Sequence, residues 1–287
     1  MTPGSWVRAP KLSLYPREHE SQGRAYKDPI TGEQYPSVTS ILKYEDKSAL
    51  VQWAVDRAVL WCVDNWQDLG VDPDAAFMKA RYRHNDVRDE RAWVGTGVHA
   101  YIEAEHTESW DMPELNDEQQ EILEWWKHFN DLYEVEPILT EWTVVNRKVG
   151  YAGTADGLWR ITEKLTGETW TSLVDVKTSK RIWDGHMMQL SALASAEAWF
   201  EEVPEGTDDS SEQKWKNSET NKVEKSYWVE KEMPRFDKVQ VLHLTSEGVE
   251  LVDINNIDIH FKKFSSYKGI WNADQELKQR KKEDKNV

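Results

Sequence analysis

Asp175-Val176-Lys177 sets a carboxylate and an ammonium two residues apart in the otherwise apolar run Ser172-Leu173-Val174-Asp175-Val176. Such a run reads as a strand, and residues i and i+2 of a strand project from one face. Asp175 and Lys177 therefore point the same way, and Val176 points to the core. Taking both charges out of water is costly unless they pair or bind a metal. Four other carboxylate-x-Lys triplets, starting at Glu45, Glu212, Glu276 and Glu283, fall in stretches that read as helical, flexible or tail-like. A second carboxylate stands in Gly153-Thr154-Ala155-Asp156-Gly157. If that stretch is the preceding strand of a hairpin, Asp156 and Asp175 converge. Mg²⁺ and Mn²⁺ take oxygen ligands of this kind. A lysine beside them would orient an attacking water and stabilise charge on a phosphate. Gly153 and Gly157 let another backbone approach closely. The plainer reading is a surface ion pair on an exposed sheet face.

The elements that must position these groups follow from periodicity and punctuation. Residues 1–23 read as an arm without periodicity. Asp28-Pro29-Ile30-Thr31-Gly32 marks the turn of a small hairpin, and Ser37 is placed to cap a following helix. Leu50, Trp53, Ala54, Ala58, Trp61 and Cys62 recur at helical spacing, which predicts a helix over 49–69 with Trp53 and Trp61 in the core. A further helix is expected from Asp74 toward Trp93, and Gly95-Thr96-Gly97 leads into another that carries His99. Asp117–Tyr133 is helical, with Trp126 on its apolar face. Strands follow at Trp142–Val145, Tyr151–Ile161 and Thr171–Thr178, then an Ala-rich helix at Trp183–Phe200. Glu201–Lys225 is polar and reads as a flexible insertion. Val239–Leu244 and Val249–Ile254 form a hairpin, and a last helix covers roughly Ile257–Lys278. This order predicts a mixed α/β domain: a small mixed sheet flanked by helices, with an added N-terminal helical region. Its parts are a mainly helical 24–140, a catalytic core at 141–200, a polar insertion at 201–237 and a C-terminal hairpin and helix at 238–287.

Composition bounds the function. The 287 residues carry a net charge of −16, which by itself argues against phosphate binding. The charges are segregated, however. Glu103 to Glu141 holds thirteen carboxylates against Lys127 alone, while Lys79, Arg81, Arg83, Arg88 and Arg91 face only Asp86, Asp89 and Glu90. That stretch reads either as a solvated helix face or as a basic groove. Tyr82 and Trp93, lying among these arginines, are candidates to stack bases at roughly 1–3 kcal/mol each. Cys62 is the only cysteine, which excludes an internal disulfide and a four-cysteine iron–sulfur cluster. No apolar run reaches the roughly 18 residues of a membrane span, and the first residues lack the pattern of a signal peptide. A cytoplasmic protein is expected.

The order Gly95-Thr96-Gly97-Val98-His99, Glu141, Gly153-x-x-Asp156, Asp175-x-Lys177 and Gln189 resembles the RecB-type nucleases of the PD-(D/E)xK superfamily. It is similar in particular to the phage Cas4-like and mitochondrial genome maintenance exonucleases, which carry a segment like Tyr35-Pro36-Ser37-Val38-Thr39-Ser40-Ile41-Leu42 near their N-termini. The resemblance spans roughly residues 24 to 200. It implies a restriction-endonuclease-like core and metal-dependent cleavage of single-stranded DNA or DNA ends by an exonuclease, with Mg²⁺ or Mn²⁺ as cofactor. It also implies phage recombination proteins as partners, in the cytoplasm of a bacterial host. His99, Asp156, Asp175 and the Val176 carbonyl would hold the metal. Lys177 would be the catalytic lysine, Gln189 would position the DNA backbone or water, and Glu141 would stand behind the ligands. The iron–sulfur cysteines of part of that group are absent. Leu193 also stands where its Gln-x-x-x-Tyr pattern has Tyr. The alternatives are an inactive DNA-binding recombination partner of the same fold and a structure-specific endonuclease.

Overall fold

The computed structural model describes residues 25–45, 48–108, 112–216 and 223–284. The expected arm at 1–23 lies outside them. Strands β1 (Ala25–Lys27) and β2 (Gln34–Pro36) form the expected hairpin. Its turn is closed by the Asp28 carboxylate, which accepts from the Ile30 and Thr31 amides, and by Gly32 at φ 74°. Ser37 caps α1 (Val38–Ile41) by accepting from Ser40 N, and a 3₁₀ turn at Leu42–Tyr44 follows.

The helical region departs from expectation in two ways. The predicted helix over 49–69 divides into α2 (Ser48–Asp64) and α3 (Trp66–Val71) at Asn65. None of the residues of α2 is buried, and Trp53 and Trp61 are only half-buried, because the helix packs on neighbouring helices rather than on the sheet. Helix α4 (Pro73–His106) starts at the Asp72 cap and runs unbroken for 34 residues through Gly95 and Gly97, where two helices were expected. A helical glycine costs only about 1 kcal/mol relative to alanine, which packing on the sheet offsets.

Helix α5 (Asp117–Leu132) begins with a capping box between Asn116 and Gln119. It leads directly into β3 (Tyr133–Asn146), much longer than the expected Trp142–Val145. Strands β4 (Tyr151–Glu163) and β5 (Thr169–Lys177) follow as an antiparallel pair. Helix α6 is Asp184–Ala194 and stops short of the expected Phe200. Ala198–Val203 is instead β6, paired with β3 through Thr143 and Phe200. Hydrogen bonding along β3 needs a partner on that side, and this tertiary demand overrides the helical pattern.

The predicted flexible insertion contains two strands, β7 (Ser211–Lys216) and β8 (Val223–Glu232), which extend the sheet beyond β6. Their polarity suits a sheet margin: Glu212 meets Lys225 at 2.8 Å, and Glu201 meets Lys231 at 3.2 Å. Charged edge strands resist further pairing. Strands β9 (Lys238–Thr245) and β10 (Gly248–Asp253) form the expected hairpin, and α7 (Ile257–Glu283) closes the described chain.

The result is a mixed α/β fold around an eight-stranded sheet of order β10-β9-β5-β4-β3-β6-β8-β7, larger than the small sheet expected. Among the described strands of this sheet, only β5 and β9 pair in parallel. One face buries Leu158, Leu173 and Val241 against Leu190 and Leu193 of α6 and Phe264 of α7. The other buries Trp159, Val174, Val176 and Leu242 against Val94, Val98 and Ile102 of α4 and Trp126 of α5. No described helix is long and apolar enough to cross a membrane.

Candidate functional site

Strands β4 and β5 pair from Thr162–Thr169 as far as Gly157–Val174, and the register then ends. Asp156 and Asp175 are the first residues beyond that end, where the two strands part. The Val176 amide, which has lost its partner in the ladder, donates to Asp156 Oδ2 at 2.8 Å. A buried N–H needs an acceptor, so this bond both closes the gap and fixes the Asp156 carboxylate.

Asp175 is fully buried and ion-paired with Lys177, as i and i+2 on one strand face allow. Gln189 of α6 donates to Asp175 Oδ1 at 3.4 Å. Burial pushes the Asp175 carboxyl above the usual carboxylate range; Lys177 opposes this and Asp156 adds to it. Burial works to lower the Lys177 ammonium, but Asp175 and Asp156 outweigh it and the pKa is raised. Lys177 is thus held protonated beside two acids. His186, one turn before Gln189, is driven down to about 4, by burial first and then by Lys177 and His243.

Helix α4 packs on the opposite face of the sheet from α6 and brings His99 Nδ1 to 3.4 Å from Asp156 Oδ2. Glu141 completes the group. It falls between the register pairs Thr140–Gly157 and Trp142–Ala155, so it lies opposite Asp156 on β3. Its φ is 50°, in the left-handed region where a non-glycine residue costs about 1–3 kcal/mol. Ligand atoms of His99, Glu141 and Asp156 all lie within 4.8 Å of one another. One imidazole and two carboxylates suit Mn²⁺ or Mg²⁺, with the remaining positions left to water or substrate. A cavity of about 10 Å³ lies among these three residues, with Ile102, Glu103, His106, Thr140, Trp159 and Val176 as its other walls. His106 stands edge-on to the rings of Trp126 and Trp159, and burial lowers its imidazole to about 4.

The site opens into a groove of about 450 Å³ between α4 and the end of β5. Arg91, Thr96, His99, Lys177, Thr178 and Ser179 are among its walls. Of the basic set expected to bind DNA, Arg91 alone reaches this groove, and it is ion-paired with Glu118. Arg88 pairs with Asp89, and Arg83 with Asp86 and Glu90. At about 100° per residue, Arg81 and Arg88 share the His99 face of α4, whereas Arg83 faces away. With a rise of 1.5 Å per residue, Arg81 stands roughly 27 Å from His99 along the axis. Tyr82 and Trp93 are 45% and 54% exposed, and Arg81 lies over the Tyr82 ring.

The sequence-predicted residues therefore assemble as two adjoining groups, one on each face of the parted strands. His99, Glu141 and Asp156 form the first; Asp175, Lys177 and Gln189 form the second. Val176 lies between them and contributes its N–H to Asp156. Glu103, His106 and Trp159 were missed. His106 and Glu103 recur at helical spacing from His99, a signal that was present in the sequence; Trp159 carried none. No protein-family model matches the chain, and no curated protein matches it.

Proposed function

We propose that this chain is a divalent-metal-dependent deoxyribonuclease acting as an exonuclease on single strands or DNA ends. The observation that carries the reading is one juxtaposition. A His99–Glu141–Asp156 group that can hold a cation adjoins a lysine kept protonated by a buried carboxylate, at the floor of an open groove. An ordinary surface ion pair is not buried in this way. A cation bound by these residues would polarise a phosphate oxygen and lower the pKa of its water.

The chain's own groups supply the rest. Lys177 presents an ammonium to the phosphate that enters the groove, and Asp175 sets where that ammonium points. Gln189 holds Asp175 from α6. Asp156 is held by the Val176 amide, so its oxygens need little reorganisation when a substrate arrives. Gly95 and Thr96 keep that side of the groove free of bulky side chains. The choice of exonuclease over endonuclease, and of DNA as substrate, rests on the resemblance to the RecB-type families.

The test uses end-labelled linear DNA and circular single strands, with Mg²⁺, Mn²⁺ or EDTA. Metal-dependent shortening of linear DNA, with circles intact, is the expected result. Cleaved circles would make it an endonuclease. Binding without cleavage in any metal would replace the enzyme with a DNA-binding partner.

A further inference from the structure

Gly95-Thr96-Gly97 lies in the middle of a helix, two residues before His99, and both glycines mark close approaches. A Cβ on Gly95 would lie 3.0 Å from Thr178 Oγ1, in the residue after Lys177. A Cβ on Gly97 would lie 2.1 Å from Gln119 Nε2 of α5. Gln119 is 1% exposed, and every polar group it has is engaged. Its Nε2 donates to the Trp93 carbonyl at 3.1 Å and to the Val94 carbonyl at 3.4 Å. Its Oε1 accepts from Asn116 N at 2.9 Å, and its own amide donates to Asn116 Oδ1 at 2.8 Å.

We propose that Gln119 is a positioning residue for the metal site: its amide keys the start of α5 into the notch at Gly97 and so sets how α4 delivers His99 to Asp156 and Glu141. The inference rests on the metal-site reading given above. A helix pinned near Gly95 by Thr178, just past β5, and at Gly97 by α5 is held in both rotation and translation. Slipping α4 by one residue would turn His99 by about 100° and move it about 1.5 Å. Metal–ligand distances tolerate only about 0.2 Å, so far smaller displacements already weaken binding. Groups that orient a ligand typically change metal affinity by about 10–100-fold when removed.

The capping box offers the competing account, in which Gln119 serves α5 alone. The two are separated by comparing Gln119→Met, which keeps the volume and removes the amide, with Asn116→Ala, which removes the cap and leaves the Gln119 amide on α4. Gly97→Ala and Gly97→Ala/Gln119→Ala complete the set. Mn²⁺ dissociation constants are read by electron paramagnetic resonance, well below each variant's melting temperature and with folding checked by near-ultraviolet circular dichroism. The expected results are binding at least tenfold weaker in Gln119→Met and Gly97→Ala, and unchanged in Asn116→Ala despite a lower Tm. The double variant should bind more tightly than Gly97→Ala alone, because the space for the new methyl is restored. If wild type binds Mn²⁺ and Gln119→Met binds it equally, or Asn116→Ala weakens it as much, the positioning role is overturned and the metal site stands. If wild type binds no Mn²⁺, the metal site and this inference both fall.

Discussion

Replacing Lys177 with Met removes the cation from a carboxylate that has no exposure to water. Leaving a buried charge unpaired costs about 3–5 kcal/mol. Protonation sets a ceiling on that cost, because the variant can fold with Asp175 neutral. The Asp175 carboxyl is already raised to about 6 with Lys177 in place, so at 1.36 kcal/mol per unit the ceiling is about 1.4 kcal/mol at pH 7 and close to zero at pH 5. The sign follows from linkage. Burial already raises the folded pKa of Asp175, and losing Lys177 raises it further. A raised folded pKa favours the folded state at low pH and disfavours it as pH climbs through that value. The Lys177→Met deficit should therefore be about 1–1.5 kcal/mol at pH 7 and close to nothing at pH 5. Urea unfolding in EDTA at both pH values measures it, through the midpoint and slope. Lys177→Met/Asp175→Asn should recover most of the loss, since no charge is then buried. A deficit that does not grow between pH 5 and pH 7 would mean that Asp175 does not titrate as the buried partner of Lys177, and the reasoning would fail.

Two further predictions concern the cavity walls. His106 is neutral in the fold, at about 4, against about 6.5 when unfolded, so it contributes stability above pH 6.5 that is lost as pH falls toward 4. The loss approaches about 3 kcal/mol, and His106→Phe should flatten that part of a urea-midpoint profile between pH 4.5 and 7.5; parallel profiles would contradict this. His186, also lowered to about 4, keeps some slope in the variant. Gly157→Ala puts a methyl 2.1 Å from Nε1 of Trp159, a ring 1% exposed. A cost of about 1–3 kcal/mol in thermal or urea unfolding is expected, with weaker Mn²⁺ binding because Trp159 must move against the cavity.

Much of the framework is a local property of the chain and was legible from it. The Asp28–Gly32 turn, the Ser37 cap and the β9–β10 hairpin depend on residues within a few positions of one another. The same holds for the shared face of Asp175 and Lys177, because strand period alone sets it. Glycines at 95 and 97 read as a helix break because their use lies elsewhere in space, against Thr178 and Gln119. β7 and β8 read as flexible because a sheet margin buries little and so leaves no apolar alternation. The His99–Glu141–Asp156 group itself belongs to tertiary structure. Where β4 and β5 part, how a left-handed Glu141 turns toward Asp156, and which face α4 presents to them all depend on packing between elements far apart in the sequence. Residue types show that carboxylates, a histidine and a lysine are available for phosphate chemistry. Only the packing of two helices on the sheet decides that His99, Glu141 and Asp156 meet, because local sequence sets where a side chain points but not what stands opposite it.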